Sequence, residues 1–154
     1  MTRWALRTLA AATCAVIATA VVAAQKVSFD YDKKADFGAF KTFAFKAGTP
    51  SDNPLVDDQI QSSVAATLAS RGMTGVDESP DVYVVTHLTV ATQKDTAGTL
   101  VIDVVDAANG AVVWHGTGAT ELKPQPKTSP VDQNVNEAVT RVLRNYPPSR
   151  AKPK

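Results

Sequence analysis

The sequence predicts an α+β domain in which a mostly antiparallel β-sheet carries two amphipathic helices on one of its faces. Three observations support this fold class. Several short segments alternate apolar and polar residues, which is typical of strands with one buried face. Two longer segments repeat apolar residues every three or four positions, as surface helices do. The segments follow one another in the order β-β-α-β-β-β-α, and the chain contains no internal repeat.

The first two strands are predicted at residues 26–32 and 41–45, separated by a connection that contains Gly38. In the first strand the apolar side chains alternate with serine and aspartate, so one face is expected to be buried. The side chains expected on the core face are Val27, Phe29, Tyr31, Phe43 and Phe45.

Three aspartates around this first connection raise the possibility of a calcium site. Asp30, Asp32 and Asp36 have some of the spacing of an EF-hand loop, but Lys34 occupies the fifth position and no glutamate stands at the twelfth. We therefore expect these carboxylates to serve a solvated strand face and a turn.

The first helix is predicted from Pro54 to Arg71. Asn53 can cap its first turn, and proline is well suited to the first helical position. Gly72 can adopt the left-handed conformation that commonly ends a helix. The apolar stripe of this helix consists of Val56, Ile60, Val64 and Leu68.

The second helix is predicted near the C-terminus, after the proline-rich connection 121–130. Ser129 can cap it, Pro130 suits its first position, and Pro147 and Pro148 end it. Its apolar stripe consists of Val135, Ala138, Val139, Val142, Leu143 and Tyr146.

Three further strands are predicted between the helices. Residues 81–92 are strand formers with apolar side chains on both faces, which indicates a central strand. Residues 99–106 and 111–118 form a hairpin whose loop contains Asn109 and Gly110, both of which tolerate positive φ.

The register of this hairpin predicts a contact between Asp103 and Trp114. If residues 107–110 form the loop, counting back places the two residues directly opposite each other on one face. The indole N–H can then meet the carboxylate, although a slip of one residue would abolish the pairing.

Residues 1–24 predict a signal peptide, because Arg3 and Arg7 precede an uncharged apolar segment that ends in small residues at Ala24. Two alternatives stay open, an uncleaved membrane anchor and lipidation of Cys14. The residues around Cys14 match a lipoprotein signal poorly, since Thr13 precedes it and a long apolar run follows.

Residues 25–146 are expected to form a single domain, followed by a disordered, basic, proline-rich tail at 147–154. Without residues 1–24 the chain contains no cysteine and has a net charge of −1. A disulfide, a thiol nucleophile and nucleic-acid binding through bulk charge are therefore not expected.

No arrangement of residues in the sequence indicates an enzyme. A serine in a Gly-x-Ser-x-Gly turn is missing, and Gly116–Thr120 lacks the lysine of a phosphate-binding loop. We therefore expect no catalytic, cofactor-binding or metal-binding residues. The alternative is a hydrolase or small-ligand-binding protein that uses His87, His115 and Asp103, which requires these side chains to meet in one pocket.

The order of several segments resembles a known family, the bacterial envelope proteins grouped as domain-of-unknown-function family 4136. The similar segments are VSFDYDKKADFGAFKTFAF, LVDDQIQSSVAATLASRGM, SPDVYVVTHL, GTLVIDVVDAANGAVVWHGTG and VNEAVTRVLRNYPP. The resemblance implies a small exported domain, often lipid-anchored, with no established activity and no catalytic residues to transfer. We therefore expect a non-enzymatic periplasmic or envelope module that binds an envelope protein or another envelope component.

Overall fold

The computed structural model describes residues 27–51, 53–90, 97–121 and 131–148. The predictions of the signal peptide, of lipidation at Cys14, of the cap at Ser129 and of the tail beyond residue 148 lie outside these residues. The elements are β1 (Val27–Tyr31), β2 (Thr42–Lys46), α1 (Pro54–Ala69), β3 (Thr74–Gly75), β4 (Val82–Val90), β5 (Ala97–Asp106), β6 (Val112–Glu121), α2 (Val131–Val142) and a 3₁₀ helix (Leu143–Asn145).

The strands form one six-stranded sheet in the order β1-β6-β5-β4-β2-β3. Strand β2 runs parallel to β4 and β3, and the remaining neighbours are antiparallel. The predicted α+β class and mostly antiparallel sheet are thus confirmed. Strand β3 was not predicted, because two residues are too short to show an alternating pattern. No helix of the described residues is both long and apolar enough to cross a membrane.

Helix α1 begins as predicted and ends slightly earlier. The side chain of Asn53 accepts a hydrogen bond from Leu55 N at 3.1 Å, and Pro54 is the first helical residue. The helix ends at Ala69, and Gly72 has a φ of 85°. The prediction that Arg71 lies in the last turn was therefore wrong.

Both helices cover the same face of the sheet, as predicted. The core between them consists of buried residues of the strands and the helices, chiefly Ile60, Val64, Leu68, Val82, Val84, Leu100, Ile102, Val104, Trp114, Val139 and Val142. In the described part of the chain, no helix covers the other face. We call this other face the open face and define it by Tyr83, Val85, His87, Val101, Asp103, Val105, His115 and Thr117, which are half-buried or exposed.

A β-bulge in β6 changes the register that the sequence predicted. Asp106 N donates to Ala111 O at 2.8 Å, so the pairing next to the turn is as expected. Val105 then pairs with Val112, but Val104 pairs with Trp114, which leaves Val113 as the extra residue of the bulge. The predicted pairing of Asp103 with Trp114 was therefore wrong, and Asp103 lies opposite His115 instead.

The bulge turns Trp114 toward the helices, where its side chain is completely buried. Its Nε1 has no hydrogen-bond partner among the described residues, so the predicted contact with a carboxylate is not formed. The indole lies against the backbone of β6, since a Cβ on Gly116 would come within 2.1 Å of its Cη2. Gly118 likewise admits Val142 of α2, whose Cγ2 lies 2.6 Å from an added Cβ. These two glycines therefore serve packing.

Candidate functional site

Three titratable side chains meet on the open face. Asp103 on β5 and His115 on β6 are cross-strand partners, and His115 Nδ1 lies 2.5 Å from Asp103 Oδ1. His87 on β4 approaches from the other side, with its Nε2 3.7 Å from Asp103 Oδ2. The structure thus brings together the three residues of the alternative prediction. We call them the His-Asp-His cluster.

The cluster is a surface feature rather than an enclosed pocket. The side chain of Asp103 is 19% exposed, that of His87 33% and that of His115 47%. Because the carboxylate lies between the two rings, it is the most protected of the three groups. A ligand would contact the outer edges of the two imidazoles first.

Two threonines that were not predicted from the sequence complete the cluster. Thr117 Oγ1 lies 3.0 Å from His115 Nε2, and Thr49 N donates to His87 Nδ1 at 3.0 Å. Thr117 follows His115 by two positions on the same strand, so the alternation rule could have identified it. Thr49 could not be found in this way, because it lies 38 residues from His87 in the chain.

Gly48 brings Thr49 within reach of the sheet. A Cβ at Gly48 would lie 2.0 Å from the carbonyl oxygen of Thr86. Only a residue without a side chain therefore allows the segment after β2 to approach β4 this closely. The close approach is what places the amide of Thr49 on the ring of His87.

The hydrogen bonds determine which nitrogen of each neutral ring carries the proton. A backbone N–H can only donate, so Nδ1 of His87 accepts from Thr49 and the proton of this ring resides on Nε2, facing Asp103. In His115 the carboxylate stands next to Nδ1, so this nitrogen carries the proton and Nε2 accepts from the Thr117 hydroxyl. Asp103 thus receives an N–H from one ring and faces the N–H of the other.

This arrangement is poorly suited to binding a metal ion. An imidazole that ligates a metal through one nitrogen normally carries its proton on the other. His87 cannot ligate through Nε2 in this way while its Nδ1 accepts from Thr49. Across the described residues, no group of three or more histidines, cysteines or acids is arranged as a metal site.

The cluster also contains the order of groups used in nucleophilic catalysis. Thr117, His115 and Asp103 form a chain of hydroxyl, imidazole and carboxylate, in which a base stands between a nucleophile and an orienting acid. An acyl-transfer site also needs N–H donors for the developing oxyanion. Strand β6 pairs with β1 on one side and β5 on the other, so the backbone amides around Thr117 are engaged in the sheet.

The sequence matches a known protein family over all of the residues that the structure describes. The sequence profile described as "Domain of unknown function (DUF4136)" matches residues 27–148. The chain belongs to the DUF4136 family. The match covers the whole described sheet and both helices of this DUF4136 domain, and no curated protein matches its sequence.

Solved structures show the same fold at low sequence identity. A DUF4136 family protein from Bacteroides thetaiotaomicron is 14% identical with a TM-score of 0.58, and the match covers 80% of this chain and 96% of that one. The PelC dodecamer from Paraburkholderia phytofirmans is 16% identical with a TM-score of 0.55, covering 77% and 94%.

A PDZ domain protein from Parabacteroides distasonis is 17% identical with a TM-score of 0.62, and the match covers 81% of this chain. The DUF4136 domain spans only 36% of that protein's length. At these identities the three structures establish the fold of the domain and leave its activity open.

Proposed function

We propose that this DUF4136 domain is a non-enzymatic binding module of the bacterial cell envelope and that it binds a protein partner through the open face. The observation that carries the proposal is the composition of this face. Half-buried apolar side chains surround a small group of polar side chains with fixed hydrogen-bond directions. Interfaces between proteins commonly combine these two features.

The apolar part of the open face comes from the two central strands β4 and β5. Tyr83 and Val85 lie on β4, and Val101 and Val105 lie on β5. The ammonium group of Lys46 lies 5.6 Å from the centre of the Tyr83 ring, which extends the face toward β2. A partner that covers these side chains would bury apolar area and contact the outer edge of His115 at the same time.

Export to the envelope is supported by the positive charge and apolarity of the first 24 residues. A binding role rather than a catalytic one is supported by the backbone amides around Thr117, which are engaged in the sheet and supply no donor for an oxyanion. The PelC structure is a dodecamer. A domain of this fold can therefore serve as part of an assembly.

The binding surface can be tested by site-specific photocrosslinking in cells. The full chain is produced with a photoreactive phenylalanine analogue at Val101 on the open face or, as a matched control, at Ser62 on the exposed side of α1. A discrete adduct in the envelope fraction from Val101 alone, lost when Val85→Arg is added, would support the proposal. Equal adducts from both positions, or none, would contradict it.

Export requires a separate measurement. We expect the full chain in the envelope fraction and a chain that lacks residues 1–24 in the cytoplasm. Recovery of the full chain from the cytoplasm would contradict the location.

A second candidate function is ester hydrolysis, and the chain Thr117–His115–Asp103 is the specific observation that favours it. Turnover of an activated ester should then fall strongly in both His115→Ala and Thr117→Val. Thr89→Val, an exposed threonine of β4, is the matched control. Turnover that is no faster than the buffer rate, or that survives both substitutions, would exclude this candidate.

A further inference from the structure

Strand β1 forms one edge of the described sheet and carries a large apolar side chain that is exposed. It contains five residues and pairs only with β6 in the described sheet. Phe29, at its centre, is 41% exposed and stacks on Tyr31 with ring centroids 6.3 Å apart. Long or apolar edges invite pairing with another strand unless charges or prolines protect them.

The hydrogen bonds between β1 and β6 determine which backbone amides of β1 point away from the sheet. Asp32 N donates to Val113 O at 2.9 Å, so the amides of even-numbered residues point toward β6. The amides of Val27, Phe29 and Tyr31 therefore point away from the sheet. The amide of Tyr31 is bonded to the side chain of Asp30 at 2.9 Å, which protects one part of the edge.

We propose that a second copy of this chain pairs antiparallel with β1, with Phe29 of each chain directly opposite Phe29 of the other. In this register Val27 faces Tyr31 of the second copy, and all residues of both strands are paired. Ser28 lies opposite Asp30 of the second copy, so that its hydroxyl can donate to the carboxylate. The amide of Tyr31 donates to the second copy's Val27 and releases Asp30 for this contact.

Other registers are less favourable for reasons of charge and length. Sliding the second strand by two residues places Asp30 of one copy opposite Asp30 of the other. Sliding it by two more residues places Asp30 opposite Asp32. A shift in the other direction removes Tyr31 from the paired segment. The Phe29 register is the one that pairs the full strand without opposing two carboxylates.

A groove beside the edge accommodates the side chains of the second copy. It has a volume of about 230 Å³ and is lined by Phe29, Tyr31, Arg144, Asn145, Pro147 and Pro148. Pairing would place the apolar row of the second strand next to the mouth of this groove. Because strands of this length form a small interface, we expect a weak dimer that forms at high protein concentration. This inference is independent of the proposed function, since β1 lies at the edge and not at the centre of the open face.

Disulfide crosslinking tests the register directly. The only cysteine of the sequence, Cys14, is replaced by serine in every variant. Phe29→Cys should form a disulfide-linked dimer under mild oxidation, because directly opposed strand residues lie within the distance that a disulfide can bridge. Leu55→Cys on α1 is the matched control, since this residue is even more exposed at 76%.

Charge substitutions at Ser28 provide a second measurement that leaves the fold intact, because this residue is exposed. Ser28→Lys should lower the dissociation constant of the dimer about fivefold in sedimentation equilibrium, and Ser28→Asp should raise it by a similar factor. Ser62→Lys and Ser62→Asp should leave it unchanged.

Three results would overturn the proposal. One is a wild-type chain that stays monomeric at the highest soluble concentration. Another is a Phe29→Cys variant that forms a disulfide-linked dimer no faster than Leu55→Cys does. This holds even if the chain forms larger assemblies by another route. The last is a higher dissociation constant for both Ser28→Lys and Ser28→Asp. The lysine would then act only as a charge that protects the edge, and not through a contact with Asp30 of the second copy.

Discussion

Asp103 lies directly across the β5–β6 ladder from His115, and the two side chains are joined by a 2.5 Å contact between Oδ1 and Nδ1. The pairing exists because β6 accommodates Val113 as an extra residue. Without the bulge, Asp103 would lie opposite Trp114, and His115 would point to the other face of the sheet. One residue of backbone thus decides whether the open face contains a cluster of polar groups.

The hydrogen bonds of the cluster predict different tautomers for its two histidines. We expect neutral His115 to carry its proton on Nδ1 and neutral His87 to carry it on Nε2, because Asp103 accepts from the first ring and Thr49 donates to the second. Long-range ¹H–¹⁵N correlation spectra of the imidazole nitrogens measure this directly at a pH where both rings are neutral.

Removing the carboxylate is the control for this assignment. In Asp103→Ala, the population of the Nδ1–H tautomer of His115 should fall, because the carboxylate that accepts this proton is gone and the Thr117 hydroxyl can also accept from Nε2, while His87 should keep its proton on Nε2 because Thr49 is untouched. Identical tautomers for both rings in the wild-type protein would contradict the described hydrogen bonds.

The contact of Trp114 with the backbone of β6 predicts a large effect of a small substitution. Gly116→Ala introduces a methyl group 2.1 Å from the indole, so we expect a loss of about 3 kcal/mol in the free energy of unfolding. Urea denaturation followed by circular dichroism measures this loss. Gly75→Ala is the matched control, since its added Cβ would come no closer than 3.4 Å to Phe43. Similar losses in both variants would refute the steric argument.

Arg71, two residues beyond α1, joins that helix to the 3₁₀ helix that follows α2. Its guanidinium donates to the carbonyl oxygens of Leu143 and Tyr146, and the first of these also accepts from Tyr146 N at 2.9 Å. We expect Arg71→Ala to lower the free energy of unfolding by about 2 kcal/mol. Arg141→Ala, which removes only a surface pair with Glu137, should lower it by less than about 0.5 kcal/mol. The opposite ranking of the two variants in thermal or chemical denaturation would contradict this role of Arg71.

Asp81 gives the fold a dependence on acidic pH. Its carboxylate accepts hydrogen bonds from Lys41 N, Thr42 N and the Thr42 hydroxyl, and these bonds, that from Lys41 first, hold its pKa below the ordinary value. Because the pKa is depressed in the folded chain, the stabilisation is present above the pKa of the unfolded chain and is lost as pH falls through the folded pKa.

The substitution Asp81→Asn should therefore lower the Tm at neutral pH, and the difference from wild type should narrow as the pH drops below about 4. Differential scanning calorimetry across this range measures the effect. Asp77→Asn, another exposed aspartate of the same loop, serves as the control. A difference that stays constant with pH would show that the charge of Asp81 does not contribute.

Much of the fold could be predicted from the sequence because local rules decide it. Asn53 and Pro54 mark the start of α1, and its apolar stripe becomes the buried side of the helix. The apolar side chains on both faces of residues 81–92 predicted a central strand, and β4 does lie between β5 and β2. The order of the strands in the sheet is a long-range property, and it explains why Phe29, expected in the core, is exposed at an edge.

The candidate site was less predictable, for physical reasons that two residues illustrate. The bulge at Val113 accompanies the burial of Trp114 against the helices, and counting residues from the turn cannot reveal it. Thr49 reaches His87 only because Gly48 lets a distant segment approach the sheet. Histidine and aspartate could be identified as candidates from their chemistry, but their meeting depends on the three-dimensional register.

The burial of Trp114 also supplies the molecule with an optical signal. The indole is shielded from solvent, its Nε1 has no hydrogen-bond partner among the described residues, and the ring of Tyr146 lies 5.5 Å away. Apart from Trp4, no other tryptophan exists in the sequence. Emission from Trp114 should therefore occur at short wavelength in the native state and move to the red when water reaches the ring. Loosening of the helices from the sheet can be followed in this way without attaching a dye.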